Sequence, residues 1–391
     1  MTEKLFSLLD SYFDDMVSLR RHLHQHPELS FEEKETPALI EAFYKDLGVE
    51  VKTGVGGNGV TAVIKGAHPG KTVALRADFD ALPIQDEKDV PYKSLIADKM
   101  HACGHDGHTA ALLHLAKALH LLRDELQGTY VMIHQHAEEY APGGAISMIK
   151  DGCLDGVDVV FGTHLWVTAD LGKVEYRTGP IMAAADRFEI KIQGAGGHGA
   201  QPHKTKDAVV AGAQLVTSLQ QIASRRVNPV ESAVVSVGSF VAENAFNVIA
   251  DSAKLIGTAR TFEPAVRDLV EKEIGRITEG TAIATDCTYD YNYFRGYPAV
   301  VNHETETDYI VEIANSIPGV TAEESEMQMG GEDFAYYLEH RPGTFFFTGA
   351  KPEGVDVPYP HHHPKFDFNE KAMLIAAKTL GKAAIEYHKQ Q

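Results

Sequence analysis

Short β-branched runs alternate with helically spaced apolar residues along the first part of the chain. Residues 60–65, 72–76, 130–134 and 157–163 predict strands, and 109–126 predicts a helix between two of them. Strand and helix in alternation imply an α/β layer on a largely parallel sheet. Near Phe188 the rhythm changes. A strand at 188–192, a helix at 207–225, strands at 233–240 and 253–262, a helix at 264–279 and a strand at 288–293 describe an α+β unit. After Tyr297 the α/β pattern resumes, with a strand at 344–348 and a last amphipathic helix at 369–388. The order predicts a discontinuous catalytic domain, 1–183 and 297–391, carrying an inserted domain at 184–296.

The length of 391 residues supports this division, because one core seldom serves more than about 200 residues. The 36 basic and 55 acidic residues leave a net charge of −19, which argues against nucleic acid or an anionic membrane surface as partner. Only Cys103, Cys153 and Cys287 are present, an odd and sparse set unlike a secreted disulfide framework. Residues 1–23 are acidic and amphipathic, unlike a signal peptide, and no window offers the roughly 20 apolar residues of a membrane span. A cytoplasmic protein is expected.

Polar clusters follow the predicted strands. The run 72–76 leads into Asp78 and Asp80, 130–134 into His136, Glu138 and Glu139, and 157–163 into His164. In open α/β sheets ligands gather beyond such carboxyl ends. A further cluster, Met-His-Ala-Cys-Gly-His-Asp-Gly-His at 100–108, is expected in the loop before the helix at Thr109. A thiolate, imidazoles and a carboxylate suit Zn, Mn, Co or Ni better than Ca or Mg. Cys103 and His105 can face one ion, and one of the adjacent Glu138 and Glu139 can ligate while its neighbour stays free as a base.

Each element has a plainer reading alone. A Glu-Glu pair is usually solvated surface, a single cysteine is usually inert and buried, and of His361, His362 and His363 at most one would be functional. The glycine-rich stretch 54–59 lacks the lysine and hydroxyl of a phosphate loop and predicts a hairpin turn. Cys103 could also be a nucleophile with His105 or His108 as base, but that mechanism leaves Glu139, His164 and the histidine run at 361–363 unemployed.

The stretches 20–33 (Arg-Arg-His-Leu-His-Gln-His-Pro-Glu-Leu-Ser-Phe-Glu-Glu), 76–83, 100–108, 137–139, 162–166, 196–203, 330–334 and 362–364 together resemble the aminoacylase and carboxypeptidase metallohydrolases. The nearest branch contains hippurate hydrolase, N-acetyl-L-amino-acid amidohydrolases and auxin-conjugate hydrolases. The resemblance implies a zinc-exopeptidase-like catalytic domain with an inserted ferredoxin-like lid that dimerises. It also implies two divalent transition-metal ions per subunit, held by Cys103, His105, Glu139, His164 and His362, with Cys103 as bridge. Glu138 would be the general base and His198 would polarise the scissile carbonyl, while Asn247 and Arg260 would hold a substrate carboxylate. Where the wider family has His-x-Asp, this chain has Asp78-Phe79-Asp80; His105 then covers the lost histidine, and Asp80 is expected among the catalytic groups. The implied activity is hydrolysis of N-acyl, above all N-acetyl, L-amino acids by a homodimer or homotetramer. Dipeptidase or carboxypeptidase activity is the alternative, and a non-catalytic binding protein a remote one.

Overall fold

A computed structural model describes residues 1–389. Its first strands are β1 (Glu50–Val55), β2 (Gly59–Lys65), β3 (His68–Asp78), β4 (Gln127–Gln135), β5 (Val159–Trp166) and β6 (Lys173–Tyr176). With Thr321–Glu324 and Gly343–Gly349 they form one eight-stranded sheet, in the order β1, β2, β4, β3, β5, Gly343–Gly349, β6, Thr321–Glu324. The central pairings, β4 with β3, β3 with β5 and β5 with Gly343–Gly349, are parallel. The glycine-rich stretch is the turn of the antiparallel β1–β2 hairpin. The sheet is thus mixed, with its parallel part in the middle.

Helices α1 (Thr2–Ser11), α2 (Phe13–Gln25), α3 (Glu35–Leu47) and α4 (His105–Leu122) precede or join these strands. α4 is buried at nearly every position, and Leu113, Leu115 and Leu119 are fully enclosed. Each such side chain contributes about 1.5–3 kcal/mol by leaving water, which fixes the helix firmly on the sheet. Its polar first turn is tied down separately. Arg20 of α2 donates to Asp106 at 2.9 Å, and His24 Nδ1 lies 2.7 Å from the same carboxylate. Burial alone would favour the neutral acid, but Arg20 and His24 hold Asp106 well below the usual carboxylate range.

Two boundaries differ from the sequence expectation in a way that matters for chemistry. The helix expected at Thr109 begins at His105, because left-handed Gly104 (φ 97°) turns the chain directly into it. The strand expected at 157–163 runs instead from Val159 to Trp166, so His164 lies within it and not beyond its end. It does so because Gly343–Gly349 continues to pair alongside, His164 opposite Phe347 and Trp166 opposite Gly349.

The chain divides into two compact units. One comprises Met1–Ile181, Val300–Glu326 and the described residues from Asp333 onward; the other comprises Met182–Ala299 and Met327–Glu332. The second unit has a four-stranded antiparallel sheet, Ala233–Val241, Ser252–Thr261, Ala184–Gln193 and Thr288–Arg295 in spatial order. Helices Ala208–Leu219 and Pro264–Ala284 complete the βαββαβ succession of a ferredoxin-like unit. Its core joins Phe188, Ile190 and Ile192 of one strand to Leu215, Leu219, Val270 and Ile274 of the helices. The segment Met327–Glu332 belongs here because Gln328 and Gly330 carbonyls accept the Ala183 amide hydrogen, each at 3.0 Å. Among the described residues no helix is long and apolar enough to cross a membrane.

Candidate metal centre

The loop leading into α4 and its first residue, the turn after β4, the second half of β5 and the segment that follows the strand Gly343–Gly349 bring five potential ligands of the first unit together. Cys103 Sγ lies 3.3 Å from His164 Nε2. His164 Nδ1 donates to the Leu165 carbonyl at 2.9 Å, so the lone pair on Nε2 faces the sulfur. Burial, with His108 and His361 close by, keeps His164 neutral. His105 is oriented in the same fashion, Nδ1 lying 3.0 Å from the Asp80 carbonyl and 3.2 Å from its carboxylate. Its Nε2 then looks toward Glu138 Oε2 at 3.9 Å and Glu139 Oε1 at 3.8 Å. His362 Nε2 completes the group, 3.3 Å from Glu139 Oε2.

Among the described residues five groups of three side chains are close enough to hold an ion, and two of them, Cys103–His105–His164 and Cys103–Glu139–His362, share Cys103. The donor set fits transition-metal ions. His105 Nε2 and Glu139 Oε1 are buried with no hydrogen-bond partner, which is costly for such atoms unless a cation satisfies them. The electrostatics agree. Burial opposes an imidazolium at His105, yet Asp78, Asp80 and Glu139 outweigh it and push its pKa up to about 10. The pocket calls for positive charge.

The same surroundings speak against a thiol nucleophile. Burial and then the carboxylates of Glu139, Glu138 and Asp78 push the Cys103 thiol well above its usual range, so a thiolate is disfavoured unless a cation is present. His108 cannot serve as its base. Its Nδ1 donates to Asp78 at 2.6 Å while its Nε2 accepts the Leu165 amide hydrogen at 2.9 Å, which uses both nitrogens.

The three consecutive histidines part ways. His361 Nε2 donates to the Leu165 carbonyl at 3.0 Å and its ring stacks on Trp166. His363 stacks on Tyr359 and accepts the Lys365 amide hydrogen at 3.0 Å. Only His362 points to the ligand cluster, from a left-handed backbone (φ 67°) pinned by its own amide to the Ala102 carbonyl at 2.8 Å. Ala137, just before Glu138 and Glu139, is left-handed as well (φ 52°). Such strain in residues with side chains gathers at functional sites.

Asp80, expected among the catalytic groups, is buried beside His105. Besides His105, its carboxylate accepts Ser30 Oγ at 2.7 Å and the Glu139 amide hydrogen at 2.9 Å. These bonds tie Asp80 to His105, to Ser30 and to the backbone beside Glu138. Behind the site Arg76 bridges Asp78 at 2.6 Å and Asp333 at 3.0 Å, a buried brace that the sequence reading did not assign.

In the second unit His198 and Asn247 are neighbours. His198 pairs with Val248, the Gly199 amide donates to the Asn247 carbonyl at 2.8 Å, and both side chains are exposed. His198 Nδ1 accepts the Ala200 amide hydrogen at 3.1 Å, which leaves Nε2 to carry the hydrogen. Arg260 stands on a sheet strand and donates to Thr258 Oγ1 and the Ala259 carbonyl.

Known proteins share this architecture. The profile of peptidase family M20/M25/M40 matches residues 74–386. The amidohydrolase YhaA of Bacillus subtilis is 62% identical over 381 residues, which cover 97% of this chain and 96% of that protein. An N-acyl-L-amino acid amidohydrolase of Geobacillus stearothermophilus is 46% identical over 302 residues, 77% of this chain and 82% of its own. Among solved structures, the Bacillus subtilis YXEP protein, described as a dinuclear metal binding peptidase, superposes with a TM-score of 0.83 at 34% identity, covering 98% of this chain and all of that one.

Proposed function

Since this chain belongs to peptidase family M20/M25/M40 and is a hydrolase, we propose that it cleaves the amide bond of N-acyl L-amino acids, N-acetyl ones foremost, releasing the amino acid and a carboxylic acid. The observation that carries the reading is the pair of ligand clusters meeting at Cys103, with Glu138 beside them. Cys103, His105 and His164 would hold one divalent ion and Cys103, Glu139 and His362 the other, drawn from Mn, Zn, Co or Ni. When bound, such ions supply Lewis acidity and lower the pKa of water.

The remaining steps fall to the chain's own groups. Glu138, buried and 3.9 Å from His105 Nε2, takes the proton of the attacking water and delivers it to the departing nitrogen. Asp80 keeps His105 in the tautomer that offers Nε2. His198, with hydrogen on Nε2, is suited to stabilise the developing oxyanion, and Asn247 and Arg260 to hold the substrate carboxylate. In this reading the second unit is the lid and dimerisation domain, and His198 acts across a homodimer or homotetramer. The enzyme works in the cytoplasm on small molecules, with no nucleic-acid or membrane partner.

The test is hydrolysis of N-acetyl, N-benzoyl and dipeptide substrates by chelator-stripped protein, before and after restoring each metal. Activity should return with metal and favour N-acyl amino acids. Preference for dipeptides would move the protein to the peptidase side of the family, and activity indifferent to metal would overturn the reading.

A further inference from the structure

The stretch 20–33 contributes no ligand, yet it ends against the backbone of the proposed base. Glu33 is fully buried, and its Oε1 accepts the Ala137 amide hydrogen at 2.9 Å. Two residues on, the Glu139 amide donates to Asp80 at 2.9 Å. Buried carboxylates therefore grip the chain at the 136–137 and 138–139 peptides, with Ala137 and Glu138 held between them. Between the grips Ala137 stands at φ 52°, a left-handed conformation that a residue with a Cβ adopts only when its surroundings enforce it.

The grip is itself fixed. Glu33 Oε2 accepts Asn58 Nδ2 at 2.9 Å from the β1–β2 hairpin turn. The segment leading to Glu33 is anchored by the Ala81 amide, which donates to the Glu28 carbonyl at 2.8 Å, and by the Glu28 carboxylate, which accepts the amide hydrogens of Lys34 at 2.9 Å and Thr36 at 2.8 Å. On the far side of the turn the Gly144 amide donates to the Ala137 carbonyl at 3.1 Å. A Cβ at Gly144 would meet the His136 carbonyl oxygen at 2.0 Å, so the two strands of this turn lie as close as backbone allows.

We propose that Glu33 is a positioning residue for the hydrolysis, clamping Ala137 in its left-handed turn so that Glu138 is aimed into the metal centre while Glu33 itself touches no substrate. The inference rests on the base role given to Glu138 above. A displacement of about 1 Å in a catalytic group can cost on the order of a hundredfold in rate. Removal of the clamp should therefore lower kcat with little change in KM or metal content.

The experiment compares metal-loaded wild type, Glu33→Ala and Glu33→Gln on an N-acetyl amino acid, with metal stoichiometry and amide hydrogen exchange measured on the same samples. Glu33→Ala should lose about tenfold to a hundredfold in kcat, bind two ions, and exchange the Ala137 amide at least tenfold faster. Glu33→Gln should restore most of both, since its carbonyl still accepts from Ala137 and Asn58 can turn its own amide. Native kcat in Glu33→Ala, or a loss matched by loss of metal, would overturn the proposal. If wild type itself lacks metal-dependent activity, the functional reading fails, and unchanged exchange at Ala137 would then refute the clamp independently.

Discussion

His105 Nε2 and Glu139 Oε1 lie 3.8 Å apart, both buried and both without a hydrogen-bond partner. Two such atoms facing each other are a cost to the fold that a bound cation removes. Metal should accordingly stabilise the protein as well as activate it. Titration of stripped protein is expected to saturate at two ions per chain, and a hundredfold excess over Kd should add about 2.7 kcal/mol per independent site. Calorimetry showing no rise in Tm with metal would contradict this.

Sharing of Cys103 between the clusters makes the ligands unequal. His362→Ala should leave about one ion bound, whereas Cys103→Ala should weaken both sites. His363→Ala, which removes a half-buried ring stacked on Tyr359 and the acceptor of the Lys365 amide hydrogen but no proposed ligand, should keep both ions and near-native turnover. Elemental analysis of the three purified variants decides; equal losses in His362→Ala and His363→Ala would remove His362 from the ligand set.

Glu138→Ala should reduce kcat by about 10²- to 10⁴-fold, the usual cost of losing a proton-transfer group, with two ions still bound. Retained turnover in a fully metallated variant would exclude Glu138 as the base.

Burial, reinforced by Asp80, pushes the Glu33 carboxyl up to about 7. Because its folded pKa lies above the unfolded value of about 4.3, the fold loses stability as pH climbs from that value to about 7, where Glu33 ionises. Glu33→Gln abolishes the titration. Its Tm relative to wild type should be higher at pH 8 than at pH 5, and the reverse order would rule out an elevated pKa.

Trp166 is the only tryptophan, and its ring centroid lies 5.5 Å from that of His164. Intrinsic fluorescence should therefore report on filling of the Cys103–His105–His164 cluster, with Mn, Co or Ni quenching it more than Zn. Emission unaffected by any of the four metals would argue that His164 is not a ligand.

Much of this was legible in the sequence, for identifiable reasons. Short β-branched runs marked the strands of the large sheet because strands buried on both faces read as continuous apolar segments, and the antiparallel unit stood out by its change of rhythm. The start of α4 was missed because His105, Asp106 and His108 are polar residues packed in a core, and apolar periodicity cannot register them. His164 was placed beyond its strand since a histidine looks like an end to an apolar run, although the neighbouring strand continues to pair with it. Among the three histidines the resemblance named His362, but residue type alone could not, and the contact of Glu33 with Ala137, more than a hundred positions away, leaves no trace in the sequence. Side-chain type can nominate a ligand, but only tertiary contact reveals what orients it.

The donors that meet at Cys103 come from residue 103 to residue 362, and the strand Gly343–Gly349, which precedes His362 in the chain, pairs with β5. During synthesis a ribosome-bound chain would expose Cys103, His105, Glu139 and His164 long before their last companion emerges. With the ligand set proposed above, the second ion would wait for residue 362 to emerge and for that long loop to close. On that proposal a nascent chain halted before residue 362 would lack one ligand of the second ion, so full metal loading would mark a chain extended past that residue.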